Sequence, residues 1–116
     1  MDEREFKRRT MQFGLNVIAL VDELPRTTAG RAVGSQLVRC GTSVGANYRA
    51  ACRGKSRPDM IAKLSIVEDE ADEAAYWLEV IVLSGMRSQD QVATLHREAN
   101  EITAIVVSSI KTLRTA

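Results

Sequence analysis

Apolar residues recur at steps of three and four through almost the whole chain, and the pattern divides into four long helical stretches. The first runs from about Asp2 to Glu23, with Phe6, Phe13, Val17, Leu20 and Leu24 in one row and Met11, Leu15 and Ile18 in a second. Pro25 stops it, because the residue before a proline is pushed away from helical angles. Thr27 or Thr28 can cap the second stretch, whose ladder is Val33, Leu37, Cys40, Val44 and Tyr48. It continues to Arg53-Gly54, where Gly54 suits the position just past a helix end. Ser56-Arg57-Pro58-Asp59 opens the third with a capping serine, a proline in the first turn and an acid three residues on. Its ladder is Met60, Leu64, Val67, Ala71, Ala74, Leu78 and Ile81, and Ser84-Gly85 ends it. Ser88 and Gln91 repeat the capping pattern before the fourth, which carries Val92, Leu95, Ala99, Ile102, Val106, Ser109 and Leu113.

Gly30, Gly34, Gly41 and Gly45 interrupt the second helix at helical spacing. At about 100° per residue they fall within a stripe roughly 60° wide. Each gives up on the order of 0.8–1 kcal/mol relative to alanine. A second helix packing backbone-close along the stripe is expected to recover that loss, with the adjacent apolar ladder supplying burial.

Short connections make sequence neighbours antiparallel, so the expected fold is all-α: one domain over residues 1–116, an up-down-up-down four-helix bundle. Ile105, Val107 and Ile110 widen the apolar face of the fourth helix to about 200°, beyond the ~100° that one core needs. The first helix is two-rowed in the same way. Left exposed, such rows form a patch too large for a monomer, which points to a homo-oligomer; the alternative is a fully buried helix in a compact monomer.

The formal charge of +1 predicts no partner, but its distribution is uneven. From Leu24 to Pro58 there are seven basic residues and no acid, whereas Asp59 to Ser84 holds seven acids against Lys63. Hydrophobic content of 45% with only 4% aromatics agrees with helices throughout. Cys40 and Cys52 are about 18 Å apart along one helix, far beyond disulfide reach, and read as reduced thiols. The charged N-terminus has no apolar signal core and no run is long enough to span a bilayer, so a cytoplasmic protein without membrane contact is expected.

Catalytic chemistry finds no foothold. The acidic run Glu68-Asp69-Glu70-Ala71-Asp72-Glu73 suggests a carboxylate-bridged metal, but His96 has Ala93 three positions before it and no Glu-x-x-His pair exists. Neither cysteine has a histidine nearby in sequence to act as base, and the glycine pairs sit mid-helix, not in a phosphate loop. No enzyme activity, metal, cofactor or small-molecule substrate is expected.

Two sets of polar residues remain. Arg39, Ser43 and Asn47 line up at steps of four on the flank of the second-helix ladder, as Glu70, Glu73 and Trp77 flank the third. An arginine facing a carboxylate across that seam would fix helix register, and a structural polar network of Arg39, Ser43, Asn47, Glu70 and Glu73 is expected. Arg31, Arg49 and Arg53 share another face of the second helix. Such a basic face can bind phosphate backbones without reading sequence, or dock the acidic third helix of another subunit.

Gln36-Leu37-x-Arg39-x-x-x-Ser43-Val44-x-x-Asn47, followed by Lys63-Leu64-Ser65-Ile66 and Glu70-Ala71-x-Glu73-x-x-Tyr76-Trp77-Leu78-Glu79, resembles a bacterial family. These are the four-helix bundle proteins named after the protein encoded in intervening sequences of 23S ribosomal RNA genes. The match is close over the second and third helices. The resemblance implies an antiparallel bundle, commonly a homopentamer, without known enzymatic activity. A related branch, the accessory variability determinant of diversity-generating retroelements, is a basic barrel that binds a reverse transcriptase and nucleic acid. Many members follow the asparagine with an Ile-Ala-Glu-Gly-like stretch, where this chain has Tyr48-Arg49-Ala50-Ala51, making its second helix more basic. The expected function is a non-enzymatic homo-oligomeric scaffold, a pentamer by resemblance, with nucleic acid or a nucleic-acid enzyme as partner. The alternative is a protein-only adaptor whose basic helix serves the subunit interface.

Overall fold

In a computed structural model, which describes residues 1–116, each helix begins at a polar residue that closes its first turn. The helices are α1 (Glu3–Val21), α2 (Thr28–Ala51), α3 (Arg57–Leu83) and α4 (Gln89–Thr115). Asp2 accepts from the Glu5 amide, Thr27 from Gly30 and Ser56 from Asp59. Ser88 and Gln91 form the full reciprocal capping box. Between Thr27 and Thr28, therefore, Thr27 is the cap.

The two helix ends with glycine differ. At the end of α3, Gly85 has φ 80°, and the amides of Gly85 and Met86 reach the carbonyls of Val82 and Ile81 at 3.0 Å each. This is the left-handed termination that glycine permits without strain. The expectation for Gly54 fails: α2 stops at Ala51, Cys52 stays right-handed, and Gly54 has no positive φ. Glycine is needed there for room, since a Cβ would lie 2.2 Å from Met60 Cγ and 3.1 Å from the Ala51 carbonyl oxygen.

The bundle measures 47 × 21 × 20 Å, with α2 seated between α1 and α3, and α4 packed mainly on α3. Phe13, Val17, Leu37, Val44, Val67, Leu78, Ile81, Ile102 and Val106 form the fully enclosed centre. The α3 ladder is buried from Leu64 to Ile81, and only Met60, at the open end, is half-buried. On α4 the core row passes from Val106 to Ile110 instead of Ser109, because a helix of 3.6 residues per turn drifts and the isoleucine offers more apolar surface. Ile110 is buried and Ile105 packs half-buried against the core, so part of the wide apolar face of α4 is consumed internally, while Val107 is half-buried outside that core. Only α1 keeps its second row outside, with Met11, Leu15 and Ile18 exposed.

α1 lies along the glycine stripe. Gly41 faces Val17, Gly34 faces Val21 and Leu24, and Gly45 stands 3.3 Å, measured from a built Cβ, from the main chain of Thr10. Gly14 on α1 answers from the other side, against Thr42 and the Gly41 carbonyl. Thr10 is buried in this narrow seam, its hydroxyl bonded to the carbonyls of Phe6 (3.0 Å) and Lys7 (3.1 Å) of its own helix. Gly30 departs from the expectation: it packs on the connection, with a built Cβ only 2.0 Å from the Pro25 carbonyl oxygen.

Candidate functional site

The seam between α2 and α3 carries one ionic cluster. Arg39 donates to Glu70 Oε2 at 3.2 Å through Nη1 and to Glu73 Oε2 through Nη2, while Trp77 Nε1 donates to the same Glu73 oxygen at 3.1 Å. The bond from Arg39, reinforced by that from Trp77, holds the Glu73 carboxyl below its ordinary range. The guanidinium is raised in turn, chiefly by its bond to Glu73. Ser43 and Asn47 do not join the cluster. Ser43 donates to the Arg39 carbonyl at 2.7 Å and Asn47 to the Ser43 carbonyl at 2.9 Å, because short polar side chains in mid-helix reach the preceding turn more readily than a neighbouring helix. Beneath Arg39, burial pushes the Cys40 thiol up to about 12.

The basic face is divided by the fold. Arg31, Arg49 and Arg53 are all exposed and none forms an ion pair, but Arg31 lies about 27 Å along the helix axis from Arg49. Arg49 and Arg53 are joined instead by Lys7 and Arg8. Phe6 meets Tyr48 edge to face with ring centroids 4.6 Å apart, pinning the start of α1 to the end of α2 and setting these four cations around one groove. The groove encloses about 660 Å³, and no carboxylate lines it. Its floor runs on to the exposed row of Met11, Leu15 and Ile18, which are 58%, 51% and 40% accessible.

Lys7 and Arg8 escape a reading made one helix at a time. Antiparallel pairing alone puts the start of α1 beside the end of α2, and a charge count across paired helix ends, not along the chain, is the signal that finds them.

Elsewhere, ion pairs tie helices together. Arg9 grips Glu98 with two bonds of 2.6 and 2.7 Å and Glu101 with one of 3.0 Å, bridging the thin α1–α4 contact. His96 Nε2 lies 2.9 Å from Glu79 across the α3–α4 seam. No group of three metal-ligating side chains converges, and no helix is long and apolar enough to cross a membrane.

With this geometry in hand, comparison with known proteins places the chain among bundles of the same design. The family model described as 23S rRNA-intervening sequence protein matches residues 2–108. A crystal structure from Bacteroides thetaiotaomicron, described as a protein with unknown function from the S23 ribosomal protein family, superposes with a TM-score of 0.85. It is 32% identical, and the match covers 90% of this chain and 97% of that one. No curated protein matches.

Proposed function

This chain belongs to the 23S rRNA-intervening sequence protein family, and from that premise we propose that it is a non-enzymatic scaffold that works as a homo-oligomer. One observation carries the reading. Met11, Leu15 and Ile18 stay exposed in a bundle that buries Ile110 and half-buries Ile105 and Val107 of the corresponding surplus on α4, and they lie in a groove rimmed by cations without a carboxylate among them. Apolar surface of this kind is covered in an oligomer, and the family resemblance favours a pentamer. Because Arg49 and Arg53 border the apolar row, they suit a protein interface, and the adaptor reading moves ahead of phosphate binding.

A second reading keeps nucleic acid as the partner. It is favoured by the gathering of Lys7, Arg8, Arg49 and Arg53 at one end, where only Lys7 forms an ion pair, with Glu3 at 3.8 Å. Symmetry would repeat that end on every subunit, and the family's description links it to ribosomal RNA genes.

Light scattering coupled to size exclusion, followed by titration of labelled RNA and DNA across salt, separates these. A monomer mass at micromolar concentration removes the scaffold reading. An oligomer that binds neither nucleic acid at low salt supports the adaptor, whereas binding that steepens as salt is lowered supports the second reading.

A further inference from the structure

Two ladders run along α3 on opposite sides. The core ladder from Leu64 to Ile81 steps by three and four, and so does a second one from Ala62 to Leu83. At 100° per residue each fills about 100° of the helix, and their centres stand about 160° apart. Ala62 and Ile66 form the N-terminal end of the outer ladder, and Tyr76, Val80 and Leu83 form its C-terminal end. Ile66, Tyr76 and Leu83 are accessible to 45%, 56% and 87%. Between the two ends the ladder turns acidic at Asp69 and Glu73, with Asp72 alongside. Glu73 is held by Arg39 and Trp77, but Asp69 and Asp72 are exposed and form no ion pair. Over three heptads, about 32 Å, the outer face of α3 therefore has the pattern of one half of a coiled coil, apolar at both ends and negative in the middle.

The acids decide what can cover it. If two copies paired through parallel α3 helices, Asp69 would face Asp69. If the helices ran antiparallel, the midpoint of the ladder would fall between Asp72 and Glu73, and the two acidic bands would meet there. Both arrangements oppose like charges. The chain's own free cations stand at another level. Arg39 bonds Glu70 and Glu73, and Gly41 faces Val17, so the acidic band is level with the Leu15–Ile18 end of the α1–α2 groove. Arg49 and Arg53 lie about 15 and 21 Å beyond Arg39 along α2. A purely apolar helix fares no better, because it would strip water from Asp69 and leave the carboxylate unpaired.

We infer that the outer face of α3 docks an amphipathic helix of a different protein, apolar at both ends of three heptads and carrying arginine or lysine in the middle. Its cations meet Asp69 and Asp72, and its apolar ends cover Ile66 on one side and Tyr76 and Leu83 on the other. Charge in the seam sets the register, since a slip of one heptad leaves cations and carboxylates against apolar side chains. α3 stands diagonally across the bundle from α1, so a contact between copies through Met11, Leu15 and Ile18 leaves this face open. The site supplies the adaptor reading with a class of partner, and rests on that reading only in taking the partner to be a protein.

Fluorescently labelled three-heptad peptides test the site, with leucine and isoleucine at the core positions of the end heptads and arginine, glutamate or leucine at the core and flank of the middle one. In anisotropy titrations the arginine-centred peptide should bind the parent at least tenfold more tightly than either of the others. Asp69→Lys with Asp72→Lys should reverse the order of the two charged peptides. Tyr76→Ser with Leu83→Ser should weaken the arginine-centred peptide at least tenfold while keeping the order. Asp69 and Asp72 bond to nothing in the subunit, so helicity should be unchanged in the lysine variant. In the unaltered protein, a lysine-centred peptide should couple by carbodiimide to Asp69 or Asp72, a readout free of folding effects.

Equal binding of the three peptides, no binding into the high micromolar range, an order that survives the lysine variant, or coupling only to other acids overturns the docking site and leaves the scaffold reading standing. So does a loss of oligomer mass in the lysine variant, which would give the face to a second copy. A monomeric parent that binds the peptides in the expected order removes the homo-oligomer and keeps the docking site.

Discussion

Gly41 and Val17 meet so closely that a Cβ built on the glycine would lie 2.8 Å from both valine methyls and 3.1 Å from the valine Cβ. Valine is stiff at χ1 and fully buried, so it has little room to give. The Gly41→Leu variant is expected to lose about 1–3 kcal/mol or more by overpacking, a drop of several degrees in Tm. Gly45→Ala should cost less, because its closest neighbours stand at 3.3 Å and the gain in helix propensity, ~1 kcal/mol, offsets part of the crowding. Thermal melts followed by circular dichroism check the order. Equal melting of Gly41→Leu and the parent would mean that α1 does not lie on the stripe.

Arg39 should couple energetically to Glu73 more strongly than to Glu70, since Glu73 alone is held by both Arg39 and Trp77. Double-mutant cycles with Arg39→Ala measure both couplings. The sign with pH follows from the lowered Glu73 carboxyl. Its contribution is complete above the ordinary value of 4.5 and is lost as pH falls through the depressed one. The parent should therefore lose its stability advantage over Arg39→Ala only on the acid side, in urea titrations below about pH 4.5.

The two thiols should differ in their access to a disulfide reagent at pH 8. Cys52 is half-buried, whereas Cys40 is enclosed, with its thiol donating to the Leu37 carbonyl at 3.5 Å. Labelling of Cys52 should come first, and that of Cys40 should follow the rate of opening and accelerate in denaturant. The raised Cys40 thiol also makes a prediction at alkaline pH. Its contribution to stability is complete below the ordinary 9.0 and fades as pH climbs toward about 12, because only the unfolded chain ionises readily in that window. Rapid labelling of both thiols in the native protein would mean that the α2 ladder is open at Cys40.

Arg31 should behave differently from Arg49 and Arg53. Arg31→Gln is expected to leave the oligomer mass unchanged, whereas Arg49→Gln with Arg53→Gln should lower it. If nucleic acid is bound at the basic end, the latter pair should also reduce the dependence of log K on log salt by about 0.9 per lost duplex phosphate contact, with no effect of base sequence. Equal effects of Arg31→Gln and the double variant would show one continuous basic face.

Most of the helical framework was legible along the chain because its causes are local. Asp2, Thr27, Ser56 and Ser88 close first turns through atoms three residues away, and a 3.6-residue period marks Leu64 to Ile81 as inward whatever they pack upon. The glycine stripe was legible as a demand for close approach, and Arg39 as a reach toward the acidic flank of α3.

Tertiary structure decided what lies between helices. Only the pairing of helix ends brings Lys7 and Arg8 to Arg49 and Arg53, and only the rotation of each helix about its axis leaves Met11 outside while drawing Ile105 in. Gly30 serves the Pro25 turn and not a helix, and Ser43 and Asn47 turn back to their own backbone. A periodicity states which residues share a face; it does not state how far that face extends into a neighbour, because that depends on the volumes and lengths of helices distant in sequence.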